Sequence, residues 1–247
     1  MFITPVELHN GIYVKRDDLF TVHGVSGGKV RTAEYIIGKA VSMGFSHIVT
    51  AGSHLSPQVR IVGSICRELG LGFTAFTPLG ALPPEVEAFK SFADIRQVAY
   101  GRNNILKSYA QRFAYRNSAF LAPFGMECFE AVRQTASQVV DIPSEVKRVV
   151  VPVGSAMSLC GVLHGLMSVG FRGTVLGVSV GVGVDRVMKA YAPAGWEGFC
   201  RVVKSPADYH KEVYATLGSI TLDPVYEAKC LPYLRRGDLF WVVGSRL

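Results

Sequence analysis

The sequence offers no pairing scheme for its cysteines. Cys66, Cys128, Cys160, Cys200 and Cys230 are widely scattered, odd in number and free of any CxxC spacing. That excludes a disulfide framework and a thiolate zinc site, and buried free thiols are the reading that remains. The six histidines form no HxxxH or HExxH pair, so metal catalysis has no support and no metal is expected. No apolar run reaches the roughly 18 to 20 residues that span a bilayer. The N-terminus lacks a basic-then-apolar signal, because Phe2, Ile3 and Val6 are interrupted by Pro5, Glu7 and His9. A cytoplasmic protein without a membrane partner is expected. There is no internal repeat, low-complexity tract or heptad run, and the glycines of GVSVGVGVD (177–185) lack the GxGxxG spacing of a dinucleotide site.

What is present is a folded globular chain of 247 residues, 49% hydrophobic, with a net charge of +7. Such a length builds one large core or two lobes. The basic residues are dispersed; attraction of phosphate or nucleic acid and simple solubility both account for them. Short β-branched runs at 46–51, 72–77, 94–100, 147–153, 173–180 and 238–243 alternate with helix-length segments near 29–43, 57–69, 103–116, 126–140, 156–169 and 208–217. This alternation predicts an α/β fold built on mainly parallel sheets. The unbroken apolar row in KRVVVPV (147–153) predicts a central strand covered on both faces. Pro and Gly punctuate the chain at 78–84 and 193–198.

Ligands of α/β sheets gather beyond the carboxyl ends of strands, so the strand-to-helix junctions carry the search. In SGGKVRTAEY (26–35) two glycines precede Lys29 at a helix start. The helix dipole there disfavours the lysine's charge. A neutral lysine is a competent amine for an aldehyde, although a solvated turn lysine has the same local pattern. In TAGSHLSPQVR (50–60) Ser56 is a helix N-cap candidate with Pro57 in the first turn, compatible with Ser56 and Gln58 facing a ligand. In VPVGSAMSLCG (151–161) the open N–H groups of a helix start, with Ser155 and Ser158, suit a phosphate. In TLDPVYEAK (221–229) Tyr226 adjoins Glu227, which, if buried beside a heterocyclic nitrogen, would keep that nitrogen protonated.

In this order the segments resemble the pyridoxal-phosphate (PLP) enzymes of the 1-aminocyclopropane-1-carboxylate (ACC) deaminase and D-cysteine desulfhydrase group. VKRDDLF (14–20) and SGGKVRTAEY resemble the family's KRDDL segment and lysine motif. AGSHLSPQVR resembles AGxxxSN[HQ]xR, VGSAMS (153–158) resembles the glycine-rich VGSGGT cup, and LDPVY (222–226) is matched outright. FG at 124–125 aligns with the family's PLG turn. The resemblance covers about two thirds of the chain. It implies the tryptophan-synthase-β-like fold (PLP fold type II): two α/β domains with mainly parallel sheets and a trimmed small domain. The large, PLP-binding domain is expected at 1–44 and 136–247, and the small domain at 45–135.

The resemblance also implies roles. Lys29 matches the Schiff-base lysine and proton shuttle at the substrate Cα. Ser56 matches a residue near cofactor and substrate, and Gln58 a position that binds the substrate carboxylate. Gly154, Ser155, Ala156, Met157 and Ser158 match the phosphate cup. Tyr226 matches an active-site tyrosine, and Glu227 the carboxylate facing the pyridine nitrogen. Departures fall at Pro57, where the family has asparagine, at Ala156-Met157 in place of Gly-Gly, and at a C-terminus without the family's glycine-rich segment.

The implied activity is a PLP-dependent lyase or deaminase acting at the Cα of a small amino acid, as a homodimer. One alternative is a PLP-dependent decarboxylase or Cα-modifying enzyme acting on an amino acid linked to a DNA base in viral DNA hypermodification, located in host cytoplasm. Here the net charge would recruit nucleic acid. The other alternative is a catalytically degenerate binding protein.

Overall fold

The β-branched runs become strands and the amphipathic segments become helices in the computed structural model, which describes residues 2–53, 56–99, 101–180 and 183–244. Tyr100 at the end of the expected strand 94–100 lies outside the described residues. So do His54 and Leu55 of the 50–60 stretch, Gly181 and Val182 of the 177–185 segment, and the final 245–247. In chain order the first elements are β1 (Val6–His9), β2 (Ile12–Arg16), β3 (Thr21–Val22), β4 (Val25–Ser26), α1 (Gly28–Ser42), β5 (His47–Ala51) and α2 (Gln58–Glu68). Then come β6 (Gly72–Pro78), α3 (Pro84–Ala88), β7 (Asp94–Val98), α4 (Asn103–Arg116) and β8 (Phe120–Leu121). The chain continues with α5 (Phe129–Ala136), β9 (Arg148–Val153), α6 (Met157–Ser168), β10 (Thr174–Ser179) and α7 (Asp185–Tyr191). It finishes with β11 (Cys200–Lys204), β12 (Thr216–Leu217), β13 (Ile220–Thr221) and β14 (Leu239–Val242).

Two compact units result: Met1–Phe20 with Cys128–Leu247, and Thr21–Glu127. The boundaries therefore fall at 20/21 and 127/128, where the sequence suggested 44/45 and 135/136. The reason is packing. Helix α1 lies on α2 and on the turn at Phe124–Met126, which keeps it with the continuous unit, while α5 packs along α6 and belongs to the other.

The discontinuous unit holds a six-stranded sheet in the order β1-β2-β14-β9-β10-β11. Only the β1–β2 hairpin in it is antiparallel; β2–β14, β14–β9, β9–β10 and β10–β11 are parallel. Val149, Val150 and Val151 of β9 are fully buried, as its apolar row predicts for a strand covered on both faces. The continuous unit holds a parallel four-stranded sheet, β7-β6-β5-β8. On α1 the buried Val30, Ala33, Ile37 and Ala40 recur at helical spacing and turn one face into that unit's core.

The expected helix at 208–217 is absent. Asp208 Oδ1 accepts the N–H of His210, and the Asp208 carbonyl accepts the N–H of Lys211, which closes a turn in place of a helical one. Thr216 and Leu217 instead pair antiparallel with Ile220 and Thr221. No described helix is long and apolar enough to cross a membrane.

Candidate active site

Because β2, β14, β9 and β10 run parallel, their carboxyl ends share one edge of the larger sheet: Arg16 is level with Val242, and Val153 with Ser179. Strand β9 leaves this edge through Gly154 and Ser155 to Ala156, which caps α6 in the left-handed region with φ +69°. Alanine there costs about 1–2 kcal/mol relative to a residue without Cβ strain. The first helical bond runs from Cys160 N–H to the Ala156 carbonyl. The N–H groups of Met157, Ser158 and Leu159 thus lie in the open first turn, with the positive end of the helix dipole behind them. Gly154 is required by a close approach: a Cβ there would stand 2.8 Å from Cε1 of the Tyr226 ring.

Tyr226 and Glu227 follow a tight turn built by Asp223, whose Oδ1 accepts the N–H groups of Val225 at 2.9 Å and Tyr226 at 2.8 Å. Glu227 is 1% exposed. Its Oε1 accepts N–H bonds from Val243 (2.9 Å) and Gly244 (3.0 Å), just past β14, and its Oε2 accepts that of Asp223 (2.9 Å). Burial pushes its pKa from 4.5 up to about 8; the N–H groups of Asp223 and Gly244 pull it down, and the charges of Asp223 and Asp18 push it further up. Nearby, Asp17 receives Thr4 Oγ1 at 2.9 Å and the indole N–H of the fully buried Trp241 at 3.1 Å, tying the ends of β2 and β14 together.

In the continuous unit, Gly27 turns the chain at φ +111° and Lys29 is the second residue of α1, half-buried. Pro57 is the N-cap of α2, and Ser56, expected in that place, stands one residue before it with its Oγ accepting the N–H of Gln58 at 3.3 Å. Gln58 is placed differently from the sequence reading. It is 1% exposed; its Nε2 donates to Thr50 Oγ1 (2.9 Å) and the Pro123 carbonyl (2.8 Å), and its Oε1 accepts the N–H of Gly125 (2.6 Å). These bonds pin β5 to the 123–125 turn and occupy the amide that was expected to meet a substrate carboxylate. The FG segment at 124–125 is therefore the partner of Gln58, a link 67 residues long that no local pattern displays.

Within the discontinuous unit the structure brings together Gly154, Tyr226 and the turn that carries Glu227. Two residues that sequence reasoning gave no role join them: Tyr209, whose hydroxyl lies 3.3 Å from that of Tyr226, and the buried Lys229. Lys229 stands in the quoted TLDPVYEAK segment, whereas Tyr209 was hidden in the expected helix. Among the described residues no cluster of His, Cys, Asp and Glu could hold a metal.

The residues fit a phosphorylated pyridine cofactor. A glycine that a Cβ would close, an open helix start and a buried carboxyl without a cationic partner in its hydrogen bonds match phosphate at one end and a ring nitrogen at the other. Comparison with known proteins agrees. The chain is 25% identical to a protein of Pyrococcus abyssi provisionally described as a 1-aminocyclopropane-1-carboxylate deaminase, over 94% of this chain and 82% of that one. It is 25% identical to D-cysteine desulfhydrase of Salmonella paratyphi A over 92% and 80% of the two chains. The crystal structure of an ACC deaminase homologue superposes with a TM-score of 0.82 at 22% identity, covering 99% of this chain and 90% of that one. The family model for pyridoxal-phosphate-dependent enzymes matches residues 3–213, and the chain therefore belongs to that family, in its tryptophan-synthase-β-like fold, with pyridoxal 5'-phosphate as cofactor.

Proposed function

We propose that the protein is a lyase acting at the Cα of a small free amino acid, by deamination or elimination, with Lys29 as the residue that carries the cofactor. The carrying observation is Glu227, a carboxyl buried without a cation and raised to about 8, one residue from a tyrosine that rests on the Gly154 turn. The relatives' names, an ACC deaminase and a D-cysteine desulfhydrase, support the substrate class.

In this reading the open turn of α6, from Gly154 through Ser158, holds the phosphate, with Ala156 and Met157 contributing main-chain N–H groups and Ser155 and Ser158 their hydroxyls. Glu227 keeps a proton for the pyridine nitrogen at neutral pH, because burial disfavours its charged form. The bound cofactor supplies an electron sink for the pair left when a bond at Cα breaks. Lys29 Nζ takes and returns the proton at substrate Cα. Ser56, held at the start of α2, faces the substrate, and the Tyr226 hydroxyl is the acid–base group at the substrate's reacting end. Gln58 serves by shaping the 123–125 turn through its side-chain amide. A homodimer in the cytoplasm belongs to the same reading and rests on the family resemblance.

The carrier-linked alternative has one feature in its favour: α4 carries Lys107, Arg112 and Arg116 with no acidic residue, and Tyr115 on it is 88% exposed. The test is the visible spectrum of the purified protein with added pyridoxal phosphate, beside Lys29→Ala. A band that sodium borohydride fixes to the wild-type chain and not to the variant supports Lys29. Saturable turnover of D-cysteine or ACC supports the free amino acid. Turnover only of aminoacyl-modified DNA, weakening steeply with salt, supports the alternative. Absence of any band defeats the assignment of Lys29.

A further inference from the structure

Lys229 is 3% exposed, an unusual place for an ammonium group. Its Nζ donates to the main-chain carbonyls of Asp208 (2.6 Å) and Tyr209 (3.4 Å). Both carbonyls belong to one irregular segment between β11 and β12. The segment is held at its ends by the N–H bonds of Ser205 to the Ser179 carbonyl (2.7 Å) and of Val213 to the Pro224 carbonyl (2.9 Å), and its middle, which carries Tyr209, has little besides the lysine to keep its shape. It is neither helix nor strand, Asp208 and His210 are exposed, and its internal bonds are the short Asp208 turn and the Ser205 Oγ bond to Ala207 N–H. A buried charge must be satisfied by its neighbours, so the lysine and the segment hold each other. What the segment delivers is Tyr209. Its ring meets that of Tyr226 edge-on at 5.9 Å between centroids, and the Tyr226 hydroxyl donates to the Tyr209 oxygen at 3.3 Å.

We infer that Lys229 is a positioning residue: its ammonium fixes the 205–213 segment through main-chain carbonyls, so that the Tyr209 hydroxyl stands against that of Tyr226 and holds it in one orientation. This rests on the assignment of Tyr226 to the reaction. Lysine suits the task because a single compact cation on a four-carbon stem reaches two adjacent carbonyls from within the core. The arrangement is carried by the main chain of residues 208 and 209, so their side chains need not be hydrophobic to be held.

Two measurements test it, one independent of turnover. Lys204 and Lys211 flank the tether and are exposed to trypsin. In Lys229→Met, cleavage after Lys211 in the cofactor-free protein should accelerate about fivefold or more, as expected when a segment loses its anchor, and Lys229→Arg should restore part of the protection. Cleavage at the wild-type rate overturns the tether. The second measurement is a double-mutant cycle on kcat with D-cysteine or ACC, whichever the wild type turns over. Lys229→Met and Tyr209→Phe should each lower kcat by about tenfold with KM little changed, and the double variant should lose no more than either. Additive losses, or full kcat in Tyr209→Phe, overturn the positioning role. Should Lys229→Met fail to fold, Lys229→Gln replaces it in the cycle, and Tyr209→Phe on its half-exposed segment still decides. A wild type that turns over neither amino acid defeats the proposed function, and the trypsin comparison then still judges the tether.

Discussion

Replacing Glu227 by glutamine should change how stability depends on pH more than it changes stability itself. The wild-type carboxyl has a pKa of about 8 in the folded chain against 4.5 when free in water. Between those values the folded state holds a proton that the unfolded state has released, so wild-type stability falls as pH rises. The slope is about 1.4 kcal/mol per pH unit. The stabilisation is fully present below about pH 4.5 and exhausted above about pH 8, for a cumulative difference on the order of 4–5 kcal/mol. Glu227→Gln cannot ionise. Its oxygen still accepts from Val243 and Gly244, while its NH2 faces the N–H of Asp223, a mismatch costing about 1–3 kcal/mol at every pH. The variant is therefore the less stable protein near pH 4.5 and the more stable one near pH 8.5. Urea unfolding of the cofactor-free protein reads this directly. Both tryptophans, Trp196 and Trp241, lie in the discontinuous unit with Glu227, so their fluorescence follows the transition that matters. Curves that stay parallel from pH 4.5 to 8.5 would refute the reasoning, showing that three N–H bonds suffice to hold the carboxylate ionised in the core.

Further substitutions probe the rest of the site. Ala156→Gly removes the left-handed strain of about 1–2 kcal/mol, less the roughly 0.4–1 kcal/mol that a glycine adds to the unfolded chain's freedom. A net gain of up to about 1 kcal/mol in urea, with tighter cofactor retention, is expected. Gly154→Ala drives a Cβ to 2.8 Å from the Tyr226 ring. It should lower kcat by about tenfold or more through displacement of that ring, while the unfolding free energy drops by only about 1–3 kcal/mol. Gln58→Leu removes the side-chain bonds to Thr50, the Pro123 carbonyl and the Gly125 N–H, while the Pro123 carbonyl keeps the N–H of Met126, and should destabilise the continuous unit by about 1–3 kcal/mol in circular dichroism melts.

The sequence made legible whatever depends on local periodicity. The valine row of β9 and the 3.6-residue spacing of α1 each settle their element, and α4 begins and ends at the residues expected, Asn103 and Arg116. The placement of Lys29, Ser56, Gly154 and Tyr226 at turns and helix starts was legible because those turns are written in adjacent residues. What was hidden is contact between distant segments. Gln58 looked like a ligand group because Pro123 and Gly125, which claim its amide, are remote in sequence. Lys229 and the fully buried Lys15, bonded to Asp141 at 2.6 Å, were indistinguishable from the dispersed surface cations. The Asp208 turn defeated the helix expected at 208–217 because one aspartate, well placed, outweighs a weak apolar pattern.

The sheet order β1-β2-β14-β9-β10-β11 has a consequence for how the molecule is made. The last strand in the chain is wedged between the second and the ninth, and the N–H groups just beyond it hold Glu227. During synthesis, residues 21–127 emerge as one uninterrupted stretch and can close their own sheet early. The hairpin made first has to wait, with the edge of β2 unpaired, until Leu239–Val242 has left the ribosome. Pairings so remote in sequence form slowly. A ribosome stalled before residue 239 would release a chain whose continuous unit is sound, whose principal sheet has a missing centre, and whose Glu227 carboxyl has lost two of its three donors.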